Sequence, residues 1–406
     1  MPKIHLWSDW RIMSHFLKRT WAEINLNNIN ENYKAIRGYV NAQSKIMAIV
    51  KADAYGHGVS IIAKELETAG ADYFGVSNIE EAMQLRNCGI KKPILILGFT
   101  PPEYTAELIK NNITQTVLSF EHAQELSKQA EYIGERLIIH IKIDTGMGRI
   151  GYLYNQFENN SQSVEQITKT SKLNGLEIEG IFTHFAVSDE PQNDFTIKQF
   201  DLFMHCIKEL NENGIEFKLR HCCNSAGLLN FPHMQLDMVR PGIILYGLLP
   251  AAGMKPPIKL LPAMELKTIV SCVKELEKDL PISYGMKYTT TKKTRVATLP
   301  VGYADGFARS LSNNAEVIIQ GTRAKIVGRV CMDQCMVEVD NIKDVKQGDI
   351  VTLIGTDHGE IITMDDVAEK MGTINYEAVC LIGKRVTRVF FKDGHNTALI
   401  NYILPN

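Results

Sequence analysis

From Lys45 onward, short runs of apolar and β-branched residues alternate with stretches whose apolar positions recur every three or four residues. The runs are KIMAIVK, YFGVS, PILILGF, TQTVLS, LIIHIKID, EIEGIFTHF, FKLRHCCNS and MVRPGIILYG. Near-continuous hydrophobicity over such short runs is what a strand buried on both faces requires. VSIIAKELETAG, IEEAMQLRNCG, PEYTAELIKNN and EHAQELSKQAEYI read as helices between them. Their starts carry capping chemistry in Asn78 with Glu81 three residues on, in Pro101 and Pro102, and in Ser119. Gly70 and Gly89 stand where two of them should stop. Strands alternating with helices predict an α/β fold, a parallel sheet closed into a (β/α)8 TIM-type barrel. An open doubly wound sheet is the alternative, which the strand count disfavours.

Beyond Pro250 the period changes. PAAGMKPPIKLLP reads as a linker, and AMELKTIVSCVKEL, TRVATLPVGYADG, AEVIIQGTRAKIVGRV, CMVEVD and DIVTLIG read as strands joined by turns. One helix, TMDDVAEKMG, interrupts them. The expected organisation is an N-terminal extension over 1–20, a barrel over 21–255 and a mostly β C-terminal domain over 256–406. TWAEINL also alternates like a strand, so residues 21–26 are candidates to pair with that second domain.

Composition narrows the partners. The 406 residues are 45% hydrophobic and 22% charged, as in ordinary globular proteins. A formal charge of −2 gives no reason to expect nucleic acid or an anionic membrane. No apolar run reaches the roughly 18–20 residues that span a bilayer. The opening MPKIHLWSDWRIMSHFLKRT lacks the apolar centre of a secretory signal, which points to the cytoplasm; Met13 is an alternative start. The eight cysteines show no zinc spacing and read as reduced thiols, mostly in the core, with no metal implied.

Chemistry collects at the C-terminal ends of barrel strands. There the sequence places Lys51 and Tyr55, then Lys142 and Asp144 before TGMGR with Arg149, His184, Asn224 and Ser225, and Arg240 before PGI. Each has an ordinary reading alone. Lys51 could be a salt-bridged rim residue, His184 a satisfied core histidine, Arg240 a partner of Asp237, and Tyr284 and Tyr303 packing aromatics. Together they suit pyridoxal 5′-phosphate, whose aldehyde a strand-end lysine can take as a Schiff base. Its phosphate wants backbone N–H groups and hydroxyls, which NSAG and PGI can supply. Arg240, which does not give up its proton, would leave the pyridine nitrogen unprotonated and weaken the electron sink.

The ordered motifs AIVKADAYGHG, IKIDTGMGRIG, THFA, NSAG, RPGIILYG, SYGMKY, GYADG, GRVCMDQ and INYE resemble the alanine racemases, fold-type III pyridoxal phosphate enzymes. The resemblance runs from WAEINL to RVTRVF. It implies a cytoplasmic homodimer with shared active sites that interconverts L- and D-alanine by two-base proton transfer and supplies D-alanine for peptidoglycan. Lys51 would hold the cofactor and act as base on one face, and Tyr284 of the second subunit would act on the other. Tyr55, Ser225, Gly242, Ile243 and Tyr376 match phosphate-binding positions. His184 matches the residue linking Arg240 towards cofactor and catalytic tyrosine. Arg149 and Met332 match contacts to the substrate carboxylate, Tyr303 matches a residue that lines the entry channel in family members, and Lys142 matches a lysine that is N-carboxylated in some members. Asp53 stands where members often carry Asn, and RVTRVF is looser than the usual arginine-proline-arginine pattern.

Alternatives remain in view. A broad-specificity amino-acid racemase shares these features but is often exported. A fold-type III decarboxylase predicts an acidic partner for the pyridine nitrogen, against Arg240. A non-catalytic pyridoxal-binding barrel would lack the second domain and Tyr284. A metal hydrolase needs a ligand set that the sequence does not offer.

Overall fold

A computed structural model describes residues 16–158 and 160–404. Residues 1–15, with most of the expected extension and the alternative start at Met13, lie outside the described residues. The chain forms two compact units. One comprises Asn30–Ala54 and Val59–Leu260; the other comprises the segment up to Ile29, Tyr55–Gly58, and Leu261 onward.

β1 (Thr20–Asn25) belongs to the second unit. The first unit is built on β2 (Lys45–Ile49), β3 (Tyr73–Val76), β4 (Ile94–Ile96), β5 (Ile113–Val117), β6 (Leu137–Asp144), a short β7 (Tyr152–Leu153) beside β6, β8 (Leu176–Phe182), β9 (Leu219–His221) and β10 (Met238–Val239). The order is β10-β2-β3-β4-β5-β6-β8-β9, every pairing parallel. Two bonds carry the ring across the remaining gap: Asp237 N–H donates to the Arg220 carbonyl at 3.1 Å and Arg240 N–H to that of Cys223 at 3.0 Å. The sheet is therefore a near-closed barrel, as the eight runs predict. β3, β4 and β5 are buried at every position, the reason their sequences show no alternation.

Helix starts follow local chemistry. The Asn78 side chain accepts from Glu81 N–H, and Ser119 from His122 N–H. The Glu81 carboxylate does not close a reciprocal box on Asn78; it accepts from Ser77 N–H and Ala52 N–H, both at 2.7 Å. The last helix of the barrel, Ser225–Asn230, is short, as the sequence suggests.

In the second unit β1 lies between β11 (Met264–Ile269), antiparallel, and the parallel strand Thr387–Lys392. The sheet extends through Ile350–Asp357 and Glu316–Ile319. A second sheet of three strands is formed by Cys272–Leu276, Thr294–Leu299 and Cys335–Glu338. The expected helix is Met364–Met371, opened by Thr363 and Asp366 in a reciprocal capping box. A further helix, Asn375–Cys380, follows it and carries Tyr376; at six residues it is too short for periodicity to reveal. All eight cysteines are free and five are buried. Among the described residues no helix is long and apolar enough to cross a membrane.

Candidate active site

The barrel mouth is assembled from the ends of five strands. Lys51 follows β2 directly, and the chain after it turns the wrong way for L-residues. Ala52, Asp53, Ala54 and Tyr55 all have φ between 51° and 55°. Left-handed backbone costs roughly 1–2 kcal/mol per residue, so four in succession need support from their surroundings. Glu81 holds Ala52 N–H, and the Asp53 carboxylate accepts from Val59 N–H at 2.8 Å, at the start of the helix Val59–Ala69. An acid there also meets the positive end of the helix.

At the end of β6, Asp144 organises the loop that presents Arg149. Its carboxylate accepts from the N–H groups of Gly146, Gly148 and Arg149, each at 3.0 Å. Asp144 is thus a loop scaffold, while the Arg149 side chain is exposed. Lys142 is buried, with Nζ 5.6 Å from the centre of the Phe182 ring and donating to the Ile143 carbonyl. Burial, with Arg240 and Arg149 nearby, pushes its amine down to about 7 despite the pull of Asp144.

Arg240 does not pair with Asp237, the ordinary reading of its sequence position. Asp237 binds Arg220 at 2.7 and 3.0 Å instead. Arg240 is 3% exposed, donates to the Thr183 and Cys222 carbonyls and to His221 Nδ1, and lies 3.3 Å from His184 Nδ1. Burial is the main reason its guanidinium falls to about 10, still charged at neutral pH. His184 is held neutral: burial, and then the charges of Arg240, Arg149, Lys142 and Lys51, push its imidazole well below the usual range. Arg240 and Lys142 lie 5.3 and 5.6 Å from the one Phe182 ring, and Arg240 also reaches Thr183 and His184, so β6, β8 and β10 deliver their strand-end groups to a common place. With Nδ1 facing a donor-only guanidinium, His184 carries its proton on Nε2.

Ser225 begins the helix after Asn224, whose side chain caps it by accepting from Gly227 N–H at 2.8 Å. Gly242 precedes the turn Ile243–Tyr246, and its N–H donates to Ser225 Oγ at 2.8 Å. Two helical starts thus meet through one hydroxyl, at positions where N–H groups lack intrahelical acceptors. That donor set suits a phosphate, and with a lysine and a buried guanidinium in the same mouth the residues present fit pyridoxal phosphate.

The remaining candidates lie in the second unit. Tyr55 is buried, with its ring centre 6.1 Å from that of Tyr376. Tyr284, Met332 and Tyr303 are 71%, 52% and 44% exposed, on loops braced by backbone. Tyr303 N–H donates to the Cys331 carbonyl at 3.0 Å and Ala304 N–H to that of Met332 at 3.1 Å. A Cβ on Gly302 would stand 2.2 Å from the Cys331 oxygen, so glycine permits this approach. Asp305 accepts from Arg19 in a bidentate pair at 2.9 Å, and Arg385 bridges Asp305 to Asp333. Ser283 Oγ donates to the Arg329 carbonyl at 2.7 Å beside Tyr284.

The sequence reading missed His140, Glu179 and His221, which lie beneath Arg240 inside the barrel. Their signal was present: an acid and two histidines within strands that should be apolar throughout.

In fold and in the residues of the mouth the chain is matched by amino-acid racemases, a class of isomerase. The N-terminal domain of alanine racemase matches residues 24–250 and the C-terminal domain of alanine racemase matches 263–390. The chain belongs to the alanine racemase family. It is 47% identical to an alanine racemase of Clostridium perfringens over 388 residues, 95% of this chain and 99% of that one. The solved alanine racemase of Clostridium difficile 630 superposes with a TM-score of 0.91 at 42% identity, covering 96% and 100% of the two chains. That of Bacillus anthracis with bound L-Ala-P gives 0.89 at 37%, covering 96% and 99%.

Proposed function

We propose that this enzyme interconverts L- and D-alanine with pyridoxal 5′-phosphate at the barrel mouth, as a cytoplasmic homodimer whose product supplies peptidoglycan synthesis. The meeting of Lys142, Arg240 and His184 around Phe182, with Lys51 directly after β2, is the observation that carries this reading. The bound cofactor supplies a carbonyl for the substrate amine and a conjugated ring that spreads the negative charge left when the α-proton departs.

Lys51 anchors that carbonyl and takes or returns the α-proton on one face. Tyr284 of the second protomer serves the opposite face. Two bases are needed because a single group cannot reach both sides of a planar centre. The exposure of Tyr284 on a braced loop supports its use by a partner. Ser225, Gly242 and Ile243 would hold the phosphate, a role that the family resemblance extends to Tyr55 and Tyr376. Arg240 would be the partner of the ring nitrogen, a fixed donor that leaves that nitrogen unprotonated and makes the ring a weak electron sink. His184 orients Arg240 and the catalytic tyrosine. Arg149 and Met332 receive the substrate carboxylate, and Tyr303 lines the approach. A Lys142 amine near 7 is partly neutral at neutral pH; its nitrogen can add to carbon dioxide with loss of one N–H proton to solvent, and the resulting carbamate would balance Arg149 and Arg240.

The test is to incubate the purified protein and cofactor with L-alanine, and separately with L-serine, L-lysine and L-arginine, following product chirality. Selective D-alanine formation is expected. Turnover of the larger substrates would replace this reading with a broad-specificity racemase, and carbon dioxide release without inversion with a decarboxylase.

A further inference from the structure

A chain of hydrogen bonds crosses the barrel interior beneath Arg240. Arg240 Nη1 donates to His221 Nδ1 at 2.9 Å. His221 Nε2 lies 2.8 Å from His140 Nδ1, and His140 Nε2 lies 3.0 Å from Glu179 Oε2. The Tyr73 hydroxyl donates to the same carboxylate oxygen at 2.7 Å. The two ends set the direction of every proton, because a guanidinium only donates and a carboxylate only accepts. His221 must accept on Nδ1 and carry its proton on Nε2, and His140 must do the same.

Both rings are neutral. Burial lowers each imidazole below its usual range, and the Arg240 charge adds to this. Glu179 stays ionised: burial pushes its carboxyl up, but the bonds from His140 and Tyr73 outweigh this and hold it below the usual carboxylate range. His221 stacks on Phe182 at 4.7 Å, and the same ring lies 5.3 Å from the Arg240 guanidinium.

A barrel interior is ordinarily filled with branched apolar side chains, and a buried polar network is costly unless fully paired. Two local departures build this one. The β6–β8 register shifts between Ile139 and His140, which pair with Ile178 and Gly180, so Glu179 is the extra residue of a bulge. Bulges re-aim side chains, and this one places the carboxylate against His140. Gly180 supplies the room, since a Cβ there would lie 2.6 Å from His140 Cε1.

We propose that Glu179, His140 and His221 are positioning residues that lock the Arg240 guanidinium and relay a carboxylate's charge to it through the barrel interior. The proposal rests on the reading of Arg240 as partner of the cofactor's ring nitrogen. A carboxylate bonded directly to Arg240 could engage two guanidinium N–H groups and draw it away from the mouth. Relayed through two neutral rings, the anion engages one N–H and leaves the cation facing outward.

Nitrogen-15 NMR of the full-length, histidine-labelled protein tests the relay itself, with His140→Gln and His221→Gln assigning the two rings. Both should be neutral and protonated on Nε2, with or without cofactor. A proton on Nδ1 of either ring overturns the proposal. In the holoenzyme, His221→Leu should lower kcat about tenfold at unchanged alanine KM, the scale of one hydrogen bond to a charged group. It should also raise conversion of cofactor to its amine form per racemisation. Glu179→Gln, which keeps an acceptor but removes the charge, should shift the same ratio by less. Folded variants with an unchanged ratio refute the positioning role. A wild type that fails to racemise alanine would instead remove the reading of Arg240, while the NMR result still decides the relay.

Discussion

The barrel mouth and the exposed loops of the second unit achieve order by opposite means. In the mouth the charged side chains are themselves tied down: Arg240 and Lys142 are almost wholly buried, and Arg240 donates to the Thr183 and Cys222 carbonyls and to His221. Around Tyr284, Tyr303 and Met332 the backbone is fixed by carbonyl contacts and by Arg19 and Arg385, yet the side chains project outward. The first arrangement fixes charge on buried side chains, where it acts strongly. The second leaves side chains exposed on a fixed backbone.

Breaking the mouth should have the largest effect. Lys51→Ala is expected to reduce alanine racemisation on the order of a thousandfold or more and to leave cofactor removable by gel filtration. Full turnover by this variant would exclude Lys51 as anchor. Tyr284→Phe should cost on the order of a hundredfold without changing thermal stability, since the side chain is 71% exposed. Both directions must slow together, because free L- and D-alanine are equal in energy. The diagnostic is solvent exchange of the α-hydrogen of one enantiomer outrunning its inversion; loss of exchange and inversion in equal measure for both enantiomers would count against a one-face role.

Gly302→Ala sharpens the contrast from the backbone side. Its Cβ would meet the Cys331 and Met332 carbonyls, so calorimetry should show a destabilisation of about 1–3 kcal/mol. An unchanged melting temperature would mean that the loops are not rigidly coupled. The smallest effect near neutrality concerns acid. His140, His184 and His221 are buried neutral with pKa values below the unfolded value, so below about 6.5 the unfolded chain binds more protons and stability falls with pH. Melting curves from pH 7.5 to 5 should show this loss, and His140→Gln with His221→Gln should flatten it. A double variant as acid-sensitive as the wild type would place the protonating groups elsewhere.

The barrel was legible because its strands are buried on both faces and therefore read as runs, with Lys51 and Arg240 conspicuous at their ends. Asn78 and Ser119 announced their helices through short-range capping. Asp144 looked like a member of the mouth, but its carboxylate is used by the next five residues of the loop. The polar chain below Arg240 was hidden for a different reason. Its members sit on β6, β8 and β9, far apart in sequence, and a one-residue bulge at Glu179 displaces the alternation by which its facing would be read. The helix with Tyr376 fell below the length at which a period shows.

The reversed turn after Lys51 has a stereochemical corollary. Ala52, at φ 51° and ψ 50°, occupies the helical region natural to the mirror-image amino acid. Its side chain is exposed, so a semisynthetic protein with D-alanine at this one position should pack without clash and relieve part of the turn's strain. Ala52, like Ala54 two residues on, is thus held in the backbone geometry that suits its own enantiomer.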